Sequence, residues 1–406
     1  MNKLADKKKN ELILTIIFSI SMLLYYGLYS MSYGFISNIL FKKGIANSDQ
    51  ALIILCINIL SIITQSKSSA FLDRTKKTTV SKFCILMFAA IIVFSAFTIL
   101  FLNEIKIYVV FNILCYSTIL SIWPLIGVIP FKSEKYGLSV DYSIPRGIGS
   151  ISYAVSALIF GFVFSKFDIL YSGYFYIIFC FLSIIMLLLY NIIEQSYSDD
   201  KYENEEVIDN YEVNNNTLTF LKNNKMFFIY LIGVVLVSQS HMVFYTYTQQ
   251  IVSRFGGGIK DIGMAYFISA AIELPVISSY KSFNKKFSNK SIQIFSLIMF
   301  PVKLFLISIA RSGFELNIIM IMQIFSYALF CMTYPYYVNE VLKKEDIVKG
   351  QTLVNICFAI SSVVNGIECS ILFRFTNITI ILYIISFTAL IGAIISTYAI
   401  YKMSTN

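Results

Sequence analysis

Apolar residues in this chain neither alternate at the period of a strand nor form a stripe along one helix face. They gather into nearly continuous runs of roughly 20 residues, the length an α-helix needs to cross about 30 Å of hydrocarbon. Twelve runs can be traced, over 12–38, 50–72, 80–102, 107–131, 145–165, 169–193, 226–252, 261–280, 290–310, 315–338, 348–373 and 377–401. The pattern predicts an all-α membrane protein of twelve transmembrane helices. The longest polar break, 194–225, is rich in acids and Asn and predicts an acidic cytoplasmic linker with little fixed structure. It separates an N-terminal six-helix bundle, 1–193, from a C-terminal one, 226–406. Each half carries a basic loop between its second and third runs, DRTKKTTVSK (73–82) and KSFNKKFSNK (281–290), the weak internal repeat of a transporter built from two bundles.

Composition agrees: of 406 residues, 57% are hydrophobic and 14% charged. Lys and Arg divide unevenly between alternate loops, 21 on one side and 8 on the other with three assigned to spans, so the positive-inside rule puts both termini in the cytoplasm. The net charge of +9 is thereby an orientation signal and gives no reason to invoke nucleic acid. Basic KKK at 7–9 precedes a first run too long for a signal peptide, which reads as a retained helix. The seven Cys fall mostly in apolar runs with no CxxC or Cys/His pairing, which predicts neither disulfides nor a metal site. With 28 Tyr and 36 Phe, aromatics exceed what interfacial belts use, and some are expected to line a cavity.

Several short stretches carry more than hydropathy. QSKSSAFLDRTKK (65–77) holds Asp73 and Arg74 between the second and third spans. SIPRGIGSISYAVSALIFG (143–161) holds Arg146, Gly149 and Tyr153. AAIELP puts Glu273 in the eighth span, FPVKLFLIS puts Lys303 in the ninth, SQSHMVFY (238–245) puts the only His, His241, in the seventh, and KGQTLVN (349–355) opens the eleventh. In order and spacing the chain resembles the major facilitator superfamily, within it the branch of lactose permease and related oligosaccharide, nucleoside and phenylpropionate proton symporters. Ser69 and Lys67 depart from the family's loop motif, and Gln323 and Ser326 stand where lactose permease has its proton-handling His and Glu. The resemblance implies the twelve-helix facilitator fold, a sugar-recognition and coupling role for Glu273, a cavity-facing substrate contact for Arg146, and opening and closing of the two halves at Asp73 and Arg74.

The residues by themselves leave alternatives. A carboxylate at mid-span costs about 2.5–3.5 kcal/mol and is tolerable if it faces an aqueous cavity, pairs with a cation or is protonated. Glu273 lies about 12 residues into its span and Lys303 about 13 beyond Lys290, roughly 18–20 Å deep at 1.5 Å per residue, so the two are expected to meet. Such a pair either handles protons or pins the eighth helix to the ninth. His241, Tyr245, Thr248 and Gln249 recur as one polar stripe, and His241 either relays protons or is a packing group. Arg146 by spacing alone snorkels to headgroups, with Asp141 and Glu134 near enough to pair with it. Tyr25, Tyr29 and Tyr33 share a face that packs helices or stacks on substrate, Tyr334 to Tyr337 read as an interfacial anchor, and Glu368 as a gate partner for Arg374 or a second proton carrier.

The expectation is a secondary transporter working by alternating access: proton-coupled uptake of a small polar organic solute, sugar- or nucleoside-like. The substrate-binding set is Arg146, Glu273, His241, Tyr29, Tyr245 and Gln249, and the coupling set Glu273, Lys303 and His241. No cofactor beyond the proton gradient is expected, nor any metal or nucleic-acid partner. The setting is the bilayer of a bacterial cytoplasmic membrane, where the protein works as a monomer. Efflux by the same fold and a transport-incompetent sensor are the alternatives. One His and no cluster of metal ligands argue against an embedded enzyme.

Overall fold

The computed structural model describes residues 2–74, 79–134, 137–198, 217–273, 275–276 and 286–403; for 2–6, 73–74, 197–198 and 218 it describes the backbone alone. These residues form helices and no strand. The first half holds α1 (Asn2–Tyr33), α2 (Ile36–Lys42), α3 (Asn47–Arg74), α4 (Val80–Leu100), α5 (Ile105–Ile126), α6 (Ile129–Ser133), α7 (Ser143–Lys166) and α8 (Ser172–Ser198). The second holds α9 (Thr217–Asn223), α10 (Lys225–Thr246), α11 (Thr248–Ser253), α12 (Ile259–Ala271), α13 (Asn289–Ile309), α14 (Gly313–Met320), α15 (Tyr327–Val341), α16 (Ile347–Leu372) and α17 (Ile378–Met403). Two compact units result, residues 1–43 with 56–210 and residues 44–55 with 211–406.

Eleven spans among the described residues are long and apolar enough to cross a membrane. The 13 residues of α12 stand where the eighth was expected, and the end of that run, 277–280, lies outside the described residues. Three expectations change. Helix extends into the predicted linker from both sides, as the end of α8 and as α9, because buried Glu194 accepts from Ser133 Oγ at 2.6 Å and Phe220 packs edge-on to Phe227 at 5.9 Å. The rest of that stretch, 199–216, lies outside the described residues. The seventh span breaks at Tyr247 between α10 and α11. Tyr334 to Tyr337 do not form an interfacial anchor: Tyr337 is buried beside Tyr230, Tyr334 bonds Asn355 Oδ1 at 3.1 Å, and of the three tyrosines only Tyr336 is exposed.

The same devices recur in both units. Ser152 Oγ of α7 donates to Leu23 O of α1 at 2.6 Å, and Ser361 Oγ of α16 to Val235 O of α10 at 2.7 Å. In each case the fifth helix of the half is tied to the first by a serine, a small polar residue that lets helices approach where lipid offers no hydrophobic drive for association. A cation likewise caps the third helix of each half. Lys43, directly after α2, donates to Leu102 O beyond α4 and lies 4.5 Å from the Tyr108 ring centroid. Arg254, directly after α11, donates to Ile307 O and Ser308 O at the end of α13, each at 2.8 Å, and to Thr379 Oγ1 at 3.2 Å. The last carbonyls of a helix have no intrahelical partners and carry the negative end of its dipole, so a guanidinium or ammonium there completes the backbone's hydrogen bonding. Burial pulls Lys43 below the usual lysine range against the opposing carboxylate of Asp168, and burial lowers Arg254 as well.

In the second unit α10 and α17 touch backbone to backbone. A Cβ on Gly233 would lie 2.6 Å from Gly392 O, and one on Gly392 2.7 Å from Gly233 O. Neither carbonyl can move aside without unwinding its helix. Gly392→Leu is therefore expected to lower the midpoint of thermal unfolding in detergent by an overpacking cost of about 1–3 kcal/mol. Arg254→Met should cost about 2 kcal/mol by stripping charged donors from buried carbonyls. Circular dichroism melts of the two variants check both, and an unchanged melt for Arg254→Met would rule out the capping role.

Candidate functional site

Two clusters form, one in each unit. In the second unit the tenth span is discontinuous: α14 gives way to a tight 3₁₀ turn over Ile321–Ile324, Ser326 adopts φ −97°, ψ −96°, and α15 starts at Tyr327. Ser326 N–H reaches Met322 O at 3.2 Å, and the hydroxyl folds back on the same carbonyl. Gln323, on this turn and fully buried, lies between the two charged residues expected to meet. Its Nε2 donates to Glu273 Oε1 at 3.0 Å, and its Oε1 accepts from Lys303 Nζ. By sequence Gln323 reads as the loss of a titrating group; the structure makes it the link between carboxylate and ammonium. Only the character of the replacement, an amide able to donate and accept at once, hints at this.

His241 lies beside the same break. Its ring stacks on Tyr327 with centroids 4.1 Å apart and planes at 9°, and Tyr245 is 4.7 Å away. The Nδ1 atom is buried with no hydrogen-bond partner among the described residues. Tyr245 pairs with Ser269 Oγ at 2.5 Å and stacks on Tyr266 at 5.3 Å, and the Tyr266 hydroxyl donates to Thr248 Oγ1 at 2.9 Å. Gln249 does not continue this group. It lies past the break at Tyr247, where its amide donates to Ser253 Oγ, because the interruption ends the helical register that the stripe assumed.

In the first unit Arg146 is not an isolated interfacial side chain. Its guanidinium carbon lies 5.1 Å from the Tyr26 ring centroid and 5.7 Å from that of Trp123, and its Nη1 donates to Ser150 Oγ at 2.8 Å. Tyr26 is 14 residues past Leu12, where the apolar run begins, hence about 21 Å along α1. Depth therefore favours the inward reading of Arg146. The expected pairing with Asp141 does not form: that carboxylate accepts from Ser143 N and Oγ, each at 2.7 Å, and these bonds hold it below the usual carboxylate range. Two ring faces return about 0.5–2 kcal/mol each to a cation, against at least about 2.5–3.5 kcal/mol for a charge at membrane depth.

Tyr29, half-buried, adjoins Trp123 at 5.1 Å and Tyr153 at 6.0 Å and stacks on Tyr33 at 5.7 Å, while Tyr25 is fully buried and donates to Ile119 O at 3.0 Å. The tyrosine stripe thus packs helices at Tyr25 and joins an aromatic cluster at Tyr29. Gly149 admits this cluster, since a Cβ there would stand 2.8 Å from the Tyr26 ring. Trp123, the only Trp, and Tyr26 belong to the cluster, and hydropathy places Trp123 merely near a span end.

Glu368 accepts from Gln239 Nε2 at 3.4 Å, whereas Arg374 is exposed. The side chains of Asp73 and Arg74 lie outside the described residues. Among the described residues no group of three or more His, Cys, Asp or Glu is placed to hold a metal ion.

The family model of the MFS_1-like family matches residues 15–370. No curated protein matches by sequence. Among solved structures, the nucleoside transporter NupG is similar with a TM-score of 0.67 at 12% identity, covering 97% of this chain and 98% of that one. The POT family transporter PepTSo gives 0.69 at 8% identity over 98% and 99%. A bacterial homologue of the iron transporter ferroportin, in an inward-facing state, gives 0.69 at 11% over 97% and 99%. At such identities the likeness is one of fold. With a half-buried carboxylate linked to a buried ammonium inside apolar helices, and a family match over most of its length, the chain belongs to the MFS_1-like family and is a multi-pass membrane transporter of the major facilitator type, not an enzyme.

Proposed function

We propose that the protein takes up a small polar organic solute, sugar- or nucleoside-like, together with protons, by alternating access of its two halves. The setting is the cytoplasmic membrane of a bacterium, with both termini in the cytoplasm and the proton gradient as sole energy source, and the monomer is the working unit. The observation that carries this reading is the Glu273–Gln323–Lys303 line at the broken tenth span. Each charge costs about 2.5–3.5 kcal/mol at the centre of a membrane helix, a cost that tight helix packing alone does not require. A carboxylate that alternates between charged and neutral forms changes that cost, and thereby biases the equilibrium between the outward- and inward-open states. In the first unit, Tyr29, Tyr26 and Trp123 offer ring faces for a sugar or nucleobase, and Arg146 offers fixed donors for its oxygens. His241 and Tyr245 supply further hydrogen-bonding groups.

Two outcomes are expected. In liposomes of purified protein, adding a transported solute from a panel of sugars and nucleosides should draw protons inward. In Glu273→Gln, a permanent mimic of the neutral acid, net proton-driven accumulation should vanish while solute-for-solute exchange continues. Accumulation unchanged in Glu273→Gln would leave the carboxylate a structural group. Binding should also change the emission of Trp123, the sole Trp, and Arg146→Lys should weaken that binding by about tenfold, about 1.4 kcal/mol, through loss of the fixed two-pronged donor geometry. A panel that is transported without altering Trp123 emission would remove the aromatic cluster from the binding site.

A further inference from the structure

The amide of Gln323 has one orientation open to it while its neighbours are charged. A carboxylate only accepts hydrogen bonds and an ammonium only donates them, so Nε2 must face Glu273 and Oε1 must face Lys303, as observed. When Glu273 takes a proton, the new O–H is a donor. Taken up at Glu273 Oε1, the oxygen that now accepts from Nε2, it meets that donor, and its best partner becomes the amide oxygen. Gln323 Oε1 cannot serve both in the present geometry, because it is turned towards Lys303.

We propose that Gln323 is a positioning residue that acts as an amide switch: protonation of Glu273 rotates the Gln323 amide so that Oε1 accepts from the carboxylic acid, which withdraws from Lys303 Nζ its acceptor. The proton ends on a Glu273 oxygen, no covalent bond other than that O–H forms, and the ammonium is left to find another acceptor. The inference rests on the reading of Glu273 as the proton carrier and adds how its charge state reaches the helices. Gln323 lies on the 3₁₀ turn ahead of the discontinuity at Ser326, and Lys303 is on α13 beside Pro301, where a helix lacks one backbone hydrogen bond. An amide turned over at that joint therefore alters the contact between two segments that are already interrupted.

Other polar and titratable groups lie around the broken span on α10 and α15. On α10 stand His241, whose ring stacks on Tyr327, and Tyr245. On α15 stand Tyr327 and, one turn further on, Cys331. His241 Nδ1 is buried and without a partner among the described residues.

Infrared difference spectroscopy of the full chain in liposomes, acid minus neutral, tests this. A carboxylic acid carbonyl band that disappears in Glu273→Gln belongs to Glu273. In the parent this band is expected at the lowered frequency of an acid that donates a hydrogen bond, and in Gln323→Leu it should move to higher frequency and appear at a different pH. Gln323→Leu should also lose proton-driven accumulation while still binding solute, measured by Trp123 emission, which serves as the check that the variant is folded. An unshifted band in Gln323→Leu, or accumulation equal to the parent's, overturns the switch and leaves Glu273 as carrier. Absence of any band sensitive to Glu273→Gln overturns both the switch and the proton-carrier reading beneath it.

Discussion

Hydrocarbon supplies no water to complete a hydrogen bond, and the architecture follows from that constraint. Each polar group inside the apolar runs needs a protein partner, and helices meet most of the demand within their own backbones. What remains is met by side chains at fixed places. Lys43 and Arg254 cap the ends of the third helix in each half, and Ser152 and Ser361 tie the fifth helix to the first. The recurrence of the same solutions in both halves reflects the internal repeat more directly than any run of identical residues does.

The same constraint makes the exceptions informative. Lys303 is fully buried and is linked to Glu273 through the Gln323 amide, and His241 keeps a ring nitrogen without a partner among the described residues. Arg146 lies over aromatic faces and bonds a single serine hydroxyl among the described residues. These are groups whose cost the fold carries without full repayment, and they collect at a broken helix in one unit and at an aromatic cluster in the other. Functional sites in membrane transporters are commonly built this way, because a group already fully satisfied gains nothing from a substrate or a proton.

Much of this was legible in the sequence. The limits of the long helices follow the hydropathy runs closely, since a helix in lipid is bounded by the thickness it must cross. That Glu273 and Lys303 lie at one level, near enough for a single amide to join them, followed from the rise of 1.5 Å per residue applied to two spans. Less was legible where a helix stops being regular. The interruptions at Tyr247 and Ser326 fall inside apolar runs with no Pro or Gly at the joint, so hydropathy passed over them and carried the stripe on to Gln249. Helix likewise entered the acidic linker because Glu194 and Phe220 find partners that local composition does not disclose.

The sequence by itself determined the limits of most of the long apolar helices and the matched level of Glu273 and Lys303, since both depend on position along a helix of known rise. Only the tertiary structure decided partners. That Gln323 bridges Glu273 and Lys303, that Arg146 rests on Tyr26 and Trp123 instead of pairing with Asp141, and that Tyr337 turns inward all depend on which helix face meets which. Side-chain pairing between helices is set by their rotation and packing, and a pattern that reads as apolar all round does not specify rotation.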